Sequence, residues 1–156
     1  MRLVLDTDVV LSGLRSTVGA SRVLLLAVEA GVVTPLVSVA AVLEYEAVLT
    51  RTRNLEAMRL DASEVGRFLD DLVVHAEPID PRVRTRPLVR DPDDELFAEL
   101  AVSGRADALV SFNIGDYRPA DRRAPGLGVL VCRPAEILRR LAWRPSAISP
   151  SGFLPR

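Results

Sequence analysis

Residues 2 to 5 are nearly all apolar and show no alternation, the pattern of a short strand buried on both faces of a parallel sheet. Ser12-Gly13 marks an expected turn, after which "SRVLLLAVEAG" has helical character from Ser21 to a stop at Gly31. "VVTPLVS" is a second apolar strand that ends at Ser38. The next segment places Val39, Val42, Leu43, Glu46 and Leu49 at helical spacing, with Ser38 as its N-cap. Residues 54 to 76 read as further helix, with a start around Ser63 and apolar positions at Val65, Phe68, Leu69 and Leu72.

The proline-rich "EPIDPRVRTRPLV" is expected to be a loop or an edge strand. "DPDDELFAELAVSGRA" follows as a helix with an acidic first turn and Gly104 near its end. "DALVSFN" is a strand, "IGDYRPADRRAPGLG" a loop and "VLVC" a strand. "RPAEILRRLAW" is a last helix with Pro134 in its first turn. Strands alternating with helices predict an α/β domain, a three-layer α/β/α sandwich with a mostly parallel central sheet, over residues 1–141. Residues 142–156 form a Pro/Ser-rich tail expected outside the core. Ligands of such folds bind beyond the carboxyl ends of the strands, near the topological switch point.

Composition narrows the chemistry. The chain has 156 residues, 49% hydrophobic and 26% charged, which suits one folded domain with a core. Its longest apolar runs are too short or too interrupted to span a bilayer, and Asp6 interrupts any reading of the N-terminus as a signal peptide. Cys132 is the single cysteine, so no internal disulfide forms and a reducing compartment, the cytoplasm, is expected. The net charge of −1 carries no nucleic-acid signature. All 20 basic residues are arginine, as GC-rich codon usage produces, which disfavours any mechanism that needs a lysine. The one histidine, His75, excludes multi-histidine metal sites and disfavours a Ser-His-Asp triad.

Four acids stand at the carboxyl ends of strands or in the helices that follow them: Asp6, Glu44, Asp94 and Asp116. Acids gathered at one sheet edge repel unless a cation sits among them, and Mg²⁺ or Mn²⁺ suits oxygen ligands. Such a centre activates water and stabilises a leaving oxygen at phosphorus. Each acid also has an ordinary role available. Asp91, Asp93, Asp94 and Glu95 suit a helix N-terminus through capping and the macrodipole; Glu44 suits a solvated helix face, and Asp116 a Gly-Asp turn. Asp6 is the most telling, because an acid closing an apolar strand needs a partner or a ligand.

Two family resemblances follow from these blocks. "LVLDTDVV" resembles the opening of the haloacid-dehalogenase-like phosphatases, in which the first Asp is a nucleophile and the second an acid; Ser38 and "GDYRPAD" extend that likeness. Against it stand the missing lysine, the apolar "VVLSGLRS" where a Gly-rich flap belongs, and the early position of Ser38. The second resemblance, to the PIN-domain family, covers residues 1 to 141. "LVLDTDVVLSGL" is similar to its Asp-Thr-Asn opening, and "GASRVLLLAVEAG" to its next helix in the branch of toxins of type II toxin–antitoxin systems. "PLVSVAAVLEYEAVLTR" resembles that branch's Ser-(x)5-Glu-Tyr-x-x-Val-Leu-x-Arg pattern. "VRDPDDELFAELAVSGRADALVSFNIGDY" resembles its Asp-Pro-x-Asp helix, Ala-Asp-x-Leu-Val-Thr strand and acidic turn.

This second resemblance implies a PIN-like fold and a Mg²⁺- or Mn²⁺-dependent endoribonuclease cleaving single-stranded or structured RNA. It implies Asp6, Glu44, Asp94 and Asp116 as metal ligands and catalytic acids, with Asp8, Ser38, Asp91, Ser111 and Asn113 in support. Asp8 stands where Asn is commoner, Ser111 replaces Thr, and Asn113 occupies a place often held by Asp, so the fourth acid is Asn113 or Asp116. It also implies a cognate antitoxin protein and a homodimer, for which the apolar faces around 39–49 and 63–74 are available. Arg15, Arg118 and Arg122 are candidate phosphate contacts. Besides the phosphatase with Asp6 as nucleophile, a non-catalytic PIN-like module that binds RNA or antitoxin stays open.

Overall fold

The computed structural model describes residues 1–81, 88–89, 95–118, 126–143 and 154. Among these residues the strands are β1 (Arg2–Leu5), β2 (Thr34–Val37), β3 (Glu77–Pro78), β4 (Ala108–Val110) and β5 (Leu130–Cys132). The helices are α1 (Thr7–Arg15), α2 (Ala20–Glu29), α3 (Val39–Leu49), α4 (Thr52–Met58), α5 (Ala62–Val74), α6 (Glu95–Ser103) and α7 (Pro134–Leu141). The sheet runs β3-β2-β1-β4-β5 with every pairing parallel. Helices flank it to give the three-layer α/β/α architecture that the strand–helix alternation predicts.

The central strands are apolar on both faces because both are covered. Leu3, Val4, Leu5, Leu36, Ala108, Leu109 and Val110 are all buried. Pro35 survives inside β2 because of where its missing donor would point. The Thr34 N–H goes to Met1 O on the β1 side, so position 35 faces the other way. On that side β3 begins pairing only opposite Leu36. Pro78 in turn lies on the edge strand, where a lost donor is tolerated. Arg2 ties this edge to β1 through two bonds from its guanidinium to the Glu77 carboxylate, at 2.9 and 2.7 Å.

Three local expectations are corrected. Ser12-Gly13 is no turn but lies inside α1. The glycine is there for packing, since a Cβ at position 13 would lie 2.5 Å from Leu25 Cδ1 and 3.1 Å from Ser21 O on the crossing helix α2. The 54–76 stretch is two helices rather than one, broken where Arg59 adopts a left-handed conformation, φ 57°. The second of them starts around Ser63 as its pattern predicts, with Asp61 as the N-cap that closes a capping box with Glu64 (both bonds 2.8 Å). In the 142–156 tail, Leu154 is buried in the core cluster although the whole segment was expected outside it; a leucine recovers about 1.5–3 kcal/mol by leaving water. Residues 77–89, expected as loop or edge strand, supply the edge strand β3.

The topology fixes the location of any site. β1 is central, the chain passes from it to β2 on one side, and β4 comes to lie on its other side. The switch point is therefore the crevice between the carboxyl ends of β1 and β4, at Asp6 and Ser111. No single helix among the described residues is long and apolar enough to cross a membrane.

Gly13→Ala is expected to destabilise the fold by about 1–2 kcal/mol in urea denaturation. Overpacking against α2 costs roughly 1–3 kcal/mol and outweighs the ~1 kcal/mol that alanine gains over glycine in a helix.

Candidate active site

Asp6 is the last residue of the β1 ladder and the first of the α1 turn. Its N–H donates to Val110 O of β4 (2.9 Å), and its carbonyl accepts from the N–H groups of Val9 and Val10 (3.0 and 3.3 Å). A chain that passes from strand to helix at one residue aims that residue's side chain into the crevice. There the Asp6 carboxylate is only 5% exposed. Its Oδ2 accepts a bond from Ser111 Oγ (2.6 Å) and another from the Tyr117 hydroxyl (2.9 Å).

Ser111 directly follows β4, and its N–H donates to Cys132 O of β5 (3.0 Å). Its hydroxyl accepts from Asn113 N–H (3.0 Å), so its proton is free to go to Asp6. The chain then turns: the Asp116 N–H donates to Asn113 O (3.0 Å), which brings Asp116 and Tyr117 back over the crevice. The Asn113 side-chain amide lies 3.5 Å from Asp8 Oδ2, a long contact.

Three carboxylates therefore feel one another. Burial pushes the Asp6 carboxyl above its ordinary value; the bonds from Ser111, Tyr117 and the Thr7 backbone oppose this, and the Asp116 charge adds to it. Asp8, half-buried, is raised by burial and then by the charges of Asp6 and Asp116. No ion pair compensates Asp6, Asp8 or Asp116 among the described residues. Between Asp6 and Asp8, the buried Thr7 hydroxyl has no hydrogen-bond partner there.

The other expected residues are placed as follows. Ser38 is the N-cap of α3, its Oγ accepting from Ala41 N–H (3.2 Å). Glu44 lies on α3, half-buried, and its side chain makes no hydrogen bond or ion pair among the described residues. Its neighbour Tyr45 carries α3 to the site. The Tyr45 hydroxyl donates to Leu5 O, one residue before Asp6, and its ring stacks on Phe97 of α6 at 5.8 Å between centroids. Burial, with the Asp6 charge second, pushes the Tyr45 hydroxyl far above its ordinary pKa, so it stays a proton donor. Asp91 and Asp94, together with Asp93, lie outside the described residues, as does Arg122. Arg15 closes α1, at the end away from Asp6, while the exposed Arg118 adjoins Tyr117.

One group at this site carries no sequence signal of its own. Tyr117 is an isolated aromatic in a polar loop, its role visible only once the 113–117 turn folds back. Glu95, an acid expected to suit the helix N-terminus, is buried at the start of α6 and accepts from the amides of Leu88 and Val89 (2.5 and 3.2 Å).

Uncompensated carboxylate oxygens at a sheet switch point are the donor chemistry that suits a hard divalent cation. Among the described residues no three or more of His, Cys, Asp or Glu are grouped so that they could hold a metal ion by themselves. Asp6, Asp8 and Asp116 are the described acids that share this field. In comparisons with known proteins, the model of the family described as PIN domain matches residues 2–115. No curated protein and no solved structure matches the chain.

The strain among the acids has a measurable sign. A carboxyl raised above its unfolded value of 3.8 contributes stability at low pH that is lost as pH rises through its folded value. Asp6→Asn, whose amide oxygen can still accept from Ser111 and Tyr117, is expected to melt higher than the unsubstituted protein at about pH 7 in chelator. The advantage should vanish below roughly pH 4. Scanning calorimetry across that range checks it.

Proposed function

Because the chain belongs to the PIN-domain family, whose members are generally nucleases, we propose that it is a Mg²⁺- or Mn²⁺-dependent endoribonuclease and the toxin of a toxin–antitoxin pair. The observation that carries this reading is the uncompensated group of Asp6, Asp8 and Asp116 at the β1/β4 crevice. Asp6, Glu44, Asp94 and Asp116 would hold the cation, with Asp8 in support. A cation bound there supplies an activated water and neutralises charge on the departing oxygen of an RNA phosphodiester.

The protein's own part is positional. Ser111 and Tyr117 hold Asp6 in one orientation, and the Asn113–Asp116 turn sets Asp116 over it. Tyr45, bonded to Leu5 O, ties α3 to the strand end. Arg118 is placed to meet a substrate phosphate, since it follows Tyr117 directly and is exposed. The toxin assignment draws support from the Glu44 and Asp-Pro-Asp-Asp sequence blocks. An antitoxin with an apolar or arginine-bearing segment suits a crevice lined by acids, and the cytoplasm suits a lone unpaired cysteine.

Cleavage of single-stranded RNA in Mn²⁺ is expected to fall on the order of 100-fold or more in Asp6→Asn, about 3 kcal/mol of barrier, while the variant stays folded. Equal cleavage by the variant would sink the site. Turnover of small phosphomonoesters with a trappable phospho-Asp6 would favour the phosphatase chemistry instead. Absence of both activities together with absence of Mn²⁺ binding would favour a non-catalytic binding module.

A second observation bears on the homodimer. α3 is apolar nearly all round, so packing on the core leaves an apolar face in water. Val39 is 79% and Leu43 57% exposed, with Ala40 and Ala47 beside them. Together with Val73 of α5 and Pro78 and Ile79 at the sheet edge, Val39, Val42 and Leu43 line a groove of about 320 Å³. The fitting occupant is a second copy of this chain. An antiparallel approach of two α3 helices about Leu43 sets each Val39 opposite the partner subunit's Ala47, large against small. It sets each Glu46 opposite the partner subunit's Ala40, away from the other Glu46. Leu43→Glu is expected to convert a dimer to a monomer in light scattering while its circular dichroism stays that of the folded chain, with a melting temperature that no longer depends on concentration. A wild-type monomer at tens of micromolar would overturn the dimer.

A further inference from the structure

We propose that Tyr117 is a positioning residue of this centre: with Ser111 it occupies Asp6 Oδ2, so that Asp6 presents only Oδ1 to a cation. The inference rests on the metal-dependent reading above and assigns a role to a residue outside the acidic set.

The argument is one of acceptor capacity. An ionised carboxylate has about four lone-pair directions, two on each oxygen. Oδ2 receives the Ser111 hydroxyl at 2.6 Å and the Tyr117 hydroxyl at 2.9 Å. Both protons point the required way. The Ser111 oxygen already accepts from Asn113 N–H, and an ionised carboxylate can only accept from the tyrosine. All three groups are buried, Ser111 completely and Tyr117 to 3% exposure, so water does not compete for these bonds.

A divalent cation needs an oxygen lone pair at about 2.0–2.6 Å. At Oδ2 it would have to displace one of two buried hydroxyls, each anchored in the fold. Asp6 would therefore offer a cation Oδ1 alone. Tyr117 also acts on Asp116. The two are adjacent in the chain, and the hydroxyl bond to Asp6 pulls the whole 113–117 turn toward the strand end. Removing that hydroxyl loosens two acids with one atom.

The test is calorimetric titration of the full chain with MnCl₂ alone. Tyr117→Phe is expected to weaken Mn²⁺ binding by about 10-fold, within the 10- to 100-fold typical of groups that orient metal ligands. Ser111→Ala, which opens the other position on the same oxygen, should weaken it similarly and serves if the first variant folds poorly. The control is Asn54→Ala, which deletes a bond to Val48 O (2.7 Å) away from the acids. It should lower the melting temperature and leave Mn²⁺ affinity intact, separating positioning from mere stability. Mn²⁺ binding by folded Tyr117→Phe as tight as in the unsubstituted protein would overturn the role of Tyr117 alone. No Mn²⁺ binding by the unsubstituted protein would overturn the metal-dependent reading and this inference with it.

Discussion

The buried carboxylate of Asp6 is the constraint around which the molecule is arranged. It sits where β1 becomes α1, in a crevice that the parallel sheet order creates, and leaving water has raised the free energy of its charge. Two hydroxyls and a backbone amide offset part of that cost, while Asp8 and Asp116 add repulsion. A fold selected for stability alone would place an apolar or amide residue here. Retaining three acids without a compensating cation among the described residues is the kind of local penalty that functional sites carry.

The second clamp on this region is made by Tyr45. Its hydroxyl is bonded to the carbonyl just before Asp6 and its ring is stacked on Phe97, so one side chain joins β1, α3 and α6. The arrangement explains why α3 is apolar on more than one side. One side of the helix must receive the strand end and α6, and the side turned away from them retains Val39 and Leu43 in water. The acid crevice and the apolar groove are thus consequences of the same helix placement.

Much of this was legible along the chain. The unbroken apolar run of β1, the Ser38 cap of α3 and the proline-led start of α7 each depend on neighbours close in sequence, and each reads correctly. Gly13 misled because a glycine in a sequence signals a turn, whereas its actual cause is the approach of α2, a contact between helices. The break between α4 and α5 went unread because Arg59 takes its left-handed conformation without a glycine to announce it. Leu154 carries no pattern at all, and a single leucine finds the core only through the packed shape of the rest.

The site divides in the same way. An acid closing a buried strand is a local statement, so Asp6 could be identified from its immediate neighbours as a residue in need of a partner. Which partners it meets is a matter of the sheet order: Ser111 and Tyr117 lie 105 and 111 residues away and arrive only because β4 pairs with β1. The sequence by itself determined the α/β class, the strand that bears the key acid, and the oxygen-rich character of its companions. Only the tertiary structure decided that Asp8 and Asp116 share the Asp6 field and that Tyr117 holds its carboxylate. Periodicity records which side of an element is buried, whereas hydrogen bonds and charge coupling depend on distances that exist only after the strands have paired.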